Sequence, residues 1–160
     1  MNSPPLYSYL FPFVVSMLPL SELRGGLPLA LSQGAAPLEA YLLSILGNTI
    51  PVLPLLLGLK FLFKLAEKYR WSKVLFQAIQ RKTWKRQKLV QKYGISGIVI
   101  LVAIPLPMTG AWTGSLVSVL LSIPVKYAFP AIFAGICLAG FVVLFTSIGF
   151  LEIGRIFGGM

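Results

Sequence analysis

Residues 93 to 125 form an apolar run without a charged side chain, and Pro105-Leu106-Pro107-Met108-Thr109-Gly110 interrupts it near its middle. The run is too long for one bilayer crossing, which takes about 20 helical residues for a hydrocarbon core about 30 Å thick. Two prolines within three residues remove two backbone donors, so no regular helix continues through them. Two arms are left, Gly94 to Ile104 and Ala111 to Ser122, each roughly 16 to 18 Å long as helix, about half the bilayer. The spacing predicts a re-entrant hairpin that returns to the side it came from. The N-terminal region predicts another, with an arm from Leu6 to Leu18, a break from Pro19 to Gly26 and a second short arm from Leu27 to Ala36. Residues 40 to 66 and 127 to 151 have the length of complete spans.

Composition places these segments in a membrane. Apolar residues make up 57% of the chain and charged ones 11%, against about 25% charged in a soluble domain. The chain has neither His nor Asp, so catalytic triads, imidazole proton shuttles and His-based metal sites cannot be assembled from it. No enzymatic activity, cofactor or metal is expected. Cys137, the single cysteine, cannot form an intrachain disulfide and reads as a packing residue. The first apolar stretch lacks a positive leader and a small-residue cleavage site, and is expected to stay in the mature protein.

The excess of positive charge is confined to one segment. Residues 60 to 92 hold eleven of the fourteen basic residues and one acid, Glu67, while the basic and acidic residues elsewhere cancel. The positive-inside bias puts this segment in the cytoplasm and both termini outside, in a prokaryotic plasma membrane. Trp71, Val74, Leu75, Ala78 and Ile79 follow the spacing of an amphipathic helix lying on anionic headgroups. Basic residues around Trp84 resemble a nucleic-acid patch, but apolar spans on both sides argue against that partner. Glu39, Glu152 and Arg155 mark the ends of the spans, where charged residues meet water.

An offset of 86 residues superposes Pro19-Leu20 on Pro105-Leu106, Ser32 on Ser118 and Tyr41 on Tyr127. Each half then has one hairpin and one crossing, and the halves enter the membrane from opposite faces, an inverted repeat of the kind transporters use. The expected fold is an all-α integral membrane protein of one domain. Residues 1–66 and 93–160 are its two repeats, and 67–92 is the basic cytoplasmic segment.

Irregular backbone at membrane depth is tolerated only where protein or a watery cavity covers it, so two facing breaks define a site. Glu22 is its strongest candidate, because an acid inside a bilayer is costly and marks a substrate or proton path; Arg24 is next. The competing reading has both residues neutralise each other or staple the loop backbone. Asn48, in the middle of the first span, and Thr109, Trp112 and Thr113 complete the expected substrate or coupling set. Pro19, Gly25, Gly26 and Pro28 are expected to form the first turn, with Pro105, Pro107, Gly110 and Gly114 in the second. Gly110 to Gly114 also reads as a packing surface of small residues.

Glu22-Leu23-Arg24-Gly25-Gly26-Leu27-Pro28-Leu29, Gly47-Asn48, Tyr93-Gly94 and the run from Ile104 to Gly114 together resemble the small multidrug export proteins of bacteria and archaea. That family is distantly similar to the DedA-like, or VTT-domain, membrane proteins. This second likeness implies facing re-entrant hairpins and movement of lipids, including polyprenyl phosphates, across the bilayer. The DedA-like proteins carry arginines in their second motif, and residues 105 to 114 have none, which leaves that role to Glu22 and Arg24. The function expected is transport of an amphipathic substrate with an anionic head. The alternatives are proton-coupled export of cationic drugs and a non-transporting assembly or regulatory subunit. The expected partners are membrane lipids with anionic headgroups, the amphipathic substrate and further copies of the chain.

Overall fold

The computed structural model describes residues 6–68, 86–104 and 109–158, with side chains for all of these except 64–68 and 152–158. The amphipathic segment around Trp71, together with Pro105 and Pro107, lies outside the described residues. The elements are α1 (Tyr7–Met17), α2 (Glu22–Ser32), α3 (Pro37–Thr49), α4 (Val52–Lys68), α5 (described over 86–93), α6 (Ile95–Ala103), α7 (Ala111–Leu120) and α8 (Val125–Gly158). Among the described residues there is no strand.

Among the described residues two stretches are long and apolar enough to cross a bilayer, Pro37–Phe63 and Val125–Leu151. They agree with the expected spans to within three residues. The first is jointed, since residues 50 and 51 form a turn between α3 and α4 and Pro51 has no N–H to carry the ladder on. Its start is fixed by Pro37 in the first turn and by Glu39, whose Oε2 accepts the Ala36 N–H at 3.2 Å and the Tyr9 hydroxyl at 3.1 Å. This is half of a capping box, because Ala36 has no side-chain acceptor to return the bond.

The connections that lead into the two spans share one geometry. After α2, Gly34 adopts φ 89° and Ala35 donates its N–H to the Ala30 carbonyl at 3.1 Å. After α7, Ser122 adopts φ 55° and Ile123 donates to the Ser118 carbonyl at 2.9 Å. Each is a left-handed residue closing a helix end in the Schellman manner.

α8 is the central element, touching α2, α3, α4, α6 and α7, while α1, α2 and α3 pack mutually. α6 lies mainly along α8, and small residues permit the approach: a Cβ on Gly135 would come within 2.6 Å of the Val102 Cβ. Gly114 of α7 meets the same side chain, its added Cβ falling 2.6 Å from the Val102 Cγ2. The sequence expectation of a turn at Gly114 is therefore corrected, because this glycine lies inside α7 as a packing contact.

Polarity is distributed as a bilayer solvent requires. Leu10, Phe11, Leu42, Leu46, Leu57, Phe61, Leu138 and Phe145 are exposed, whereas Ser16, Ser44, Asn48, Ser115 and Ser118 are buried. Apolar surface gains nothing by leaving lipid, so small residues and hydrogen bonds hold the interior instead.

Candidate functional site

The first turn is shorter than its sequence suggests and occupies only residues 18–21. Leu18 leaves α1 in an extended conformation, and Ser21 donates its Oγ–H to the Val15 carbonyl at 2.6 Å, closing the turn on its own helix. Gly25, Gly26 and Pro28, expected in this turn, lie inside α2. Glycine and proline are poor helix formers, but tertiary contact decides here: a Cβ on Gly26 would run into Ser16 Oγ and come within 2.6 Å of the Pro12 carbonyl. Gly26 thus lets α1 and α2 touch. Pro28 faces a groove of about 320 Å3 against Thr146, Ser147, Phe150 and Leu151 of α8.

α2 opens at Glu22 with φ 48°, a left-handed backbone that costs a residue with a Cβ roughly 1–2 kcal/mol. The side chain, 6% exposed, reaches the start of α7. Its Oε1 accepts the Trp112 N–H at 3.3 Å, and the Ala111 N–H lies beside it. The first N–H groups of a helix have no partner within it and carry the positive end of its dipole, so a carboxylate from α2 caps α7 in trans. Gly110 is what admits this carboxylate: a Cβ there would overlap Glu22 Oε2, and its φ of 146° also favours glycine.

Arg24 serves the opposite end of the break. Its Nη2 donates to the Ile104 carbonyl and to Thr109 Oγ1, both at 3.3 Å, and the Thr109 hydroxyl donates to the same carbonyl at 3.0 Å. Ile104 closes α6, where carbonyls and the negative end of the dipole await a cation. The ring N–H of Trp112 donates in turn to the Met17 carbonyl at the end of α1, at 3.3 Å. Two charges from one hairpin and one indole from the other thus cover three open helix ends. Pro19, Leu20, Ser21, Glu22, Arg24, Thr109 and Thr113 line the recess left between them, about 30 Å3, room for one or two waters.

The structure gathers Glu22, Arg24, Thr109, Trp112 and Thr113 at this junction, with Gly110 beneath and Pro19 at the rim. Asn48, 1% exposed, turns its side-chain amide to the same carboxylate from α3, while its Oδ1 has no hydrogen-bonding partner. Sequence reasoning does not identify the backbone groups, the Ile104 and Met17 carbonyls and the Trp112 N–H, because every residue carries the same ones.

The family model described as putative small multi-drug export protein matches residues 22–142. Neither the curated proteins nor the solved structures contain a match. The matched region begins at Glu22 and takes in Arg24, Asn48, Thr109, Gly110, Trp112 and Thr113, and its extent, well over half of the sequence, shows that the chain belongs to the family of small multi-drug export proteins.

Proposed function

We propose that the chain is a membrane exporter of an amphipathic molecule with an anionic head, such as a lipid phosphate or a polyprenyl phosphate, acting without covalent chemistry of its own. The observation that carries this reading is that the junction already holds an anion. Glu22 lies on the first N–H groups of α7 with Arg24 nearby, and a phosphate or carboxylate head has the chemistry to take its place. The recess is too small for such a substrate as it stands, so transport requires α2 and α7 to separate.

The two hairpins are proposed to be re-entrant and related as an inverted repeat. In support, the order short helix, short helix, long span occurs twice, in α1, α2, α3–α4 and in α6, α7, α8, and the same left-handed turn precedes each span. The helices of the hairpins have only 9 to 11 residues, which is too short to cross. Residues 60–92 lie in the cytoplasm in this reading and both termini outside, so external thiol reagents reach cysteines placed at Asn2 or Gly159 and not one at Lys82.

The family's description favours a second reading, export of drugs, and cationic drugs would suit a released Glu22. Uptake into proteoliposomes separates the two. The expected result is saturable transport of dodecyl phosphate, lost in Arg24→Ala. Transport of dodecyltrimethylammonium that survives Arg24→Ala and disappears in Glu22→Gln, with no transport of the phosphate, would establish the second reading instead.

A further inference from the structure

Arg24 and Pro28 lie four residues apart on α2. They therefore share one face of the helix, about 6 Å from each other along its axis. α1 packs on the other side, where Cβ atoms added to Gly25 and Gly26 would meet Val15 and Ser16. Beside Pro28 opens the groove against α8, whose wall there is formed by Thr146 and Phe150 with Ser147 and Leu151. These are two pairs at the same four-residue spacing, so they too form a single face. The Thr146 hydroxyl already has acceptors within its own helix, the Val142 and Val143 carbonyls, both at 3.0 Å.

The two spaces along this face of α2 differ in size and in chemistry. The recess at Glu22 and Arg24 measures about 30 Å3 and is bordered by charges and hydroxyls. The groove measures about 320 Å3, has no charged residue in its lining and is flanked by Phe150, which is 79% exposed. Its volume lies within the range of about 300 to 1,000 Å3 that holds a small organic ligand. An anionic head finds no partner in it, whereas a hydrocarbon chain does. A charged group at one end of a helix face and an apolar trough one turn further on match the two ends of an amphiphile.

We propose that the groove between Pro28 and the 146–151 face of α8 is the chain subsite for the amphiphile whose anionic head goes to Arg24, and that it takes a single hydrocarbon chain. The inference rests on the transport reading above and adds to it what the substrate's tail must be. Within a bilayer a chain gains nothing from the hydrophobic effect by leaving lipid for a groove. The head therefore supplies the affinity, through a charge-assisted contact with the guanidinium, and the groove selects by width. Arg24 and Pro28 ride on one short helix, so head and chain are gripped together.

The test uses the intact chain in liposomes and dodecyl phosphate carrying a diazirine at the end of its chain. After photolysis, adducts located by mass spectrometry should fall on Pro28 and on residues 146–151, decrease with excess unlabelled dodecyl phosphate, and be several-fold weaker in Arg24→Ala. Adducts spread over outward-facing residues such as Leu42 and Leu138, with no effect of the competitor, would overturn the proposal, because the groove would then hold ordinary lipid only. A phosphatidate with two chains should compete several-fold less well than dodecyl phosphate, and equal competition would overturn the single-chain assignment. Ser147→Phe narrows the groove and leaves the junction untouched. It should raise the concentration of dodecyl phosphate needed for competition several-fold more than that of hexyl phosphate, and an unchanged ratio would sink the subsite. Competed, Arg24-dependent labelling of a protein that takes up no phosphate would support the subsite and remove the transport reading. Saturable uptake without labelling in the groove would do the reverse.

Discussion

The two hairpins look alike in outline and are held by opposite means. The first holds itself together: α1 and α2 pack along each other, Gly26 brings their backbones close, and Ser21 ties the turn to its own helix. The second leans on its surroundings. α6 lies along α8 rather than α7, and the break between them, free of charged residues, is covered by the carboxylate and guanidinium of the first hairpin. The open helix ends on either side of an uncharged break are thus satisfied by charges placed elsewhere in the chain. In the transport proposed above, the contact that stabilises the fold is therefore the contact that has to be undone.

Changes that fill or empty this junction test the contrast, and thermal unfolding of the purified protein reads them. Gly110→Ala should have the largest effect, a loss of about 2 to 4 kcal/mol, since the new Cβ enters the space of the Glu22 carboxylate in a backbone region that disfavours it. A variant that melts like the wild type would mean that the carboxylate is not held there. Glu22→Ala should cost about 2 kcal/mol by leaving the α7 N–H groups without an acceptor, and Glu22→Gln should recover part of it. If both melt alike, the cap contributes nothing.

Arg24→Ala comes next, at about 1 to 2 kcal/mol, because the side chain is only partly buried and Thr109 keeps its own bond to Ile104. Ser21→Ala is the smallest, about 1 kcal/mol. It should be local, with amide exchange faster around Val15 and unchanged around Ala111. Equal loosening of both regions would show that the first hairpin depends on the second as much as the reverse.

The two long apolar helices could be read from run lengths, because a bilayer sets a length scale that sequence cannot evade; Pro37–Phe63 and Val125–Leu151 follow from it. Glu22 and Arg24 stood out for a related reason, as charges in a solvent that penalises them. The first turn was not legible. Gly25, Gly26 and Pro28 carry the local signature of a break, and only the approach of α1 explains why a helix forms through them. Nor could local signals show that Glu22 would cap α7, because that depends on two segments about 90 positions apart meeting at their open ends.

Val102 touches α7 at Gly114 and α8 at Gly135 with a single branched side chain. Neither glycine offers a side chain that could yield, so a sideways shift of α6 must push directly on two backbones. In mechanical terms this valine is an axle pin: it keeps α6, α7 and α8 from sliding past one another. An opening at the Glu22 contact would then swing the second hairpin away from α2 as a rigid lever, its stroke set by where α8 pivots rather than by any softening of the hairpin itself.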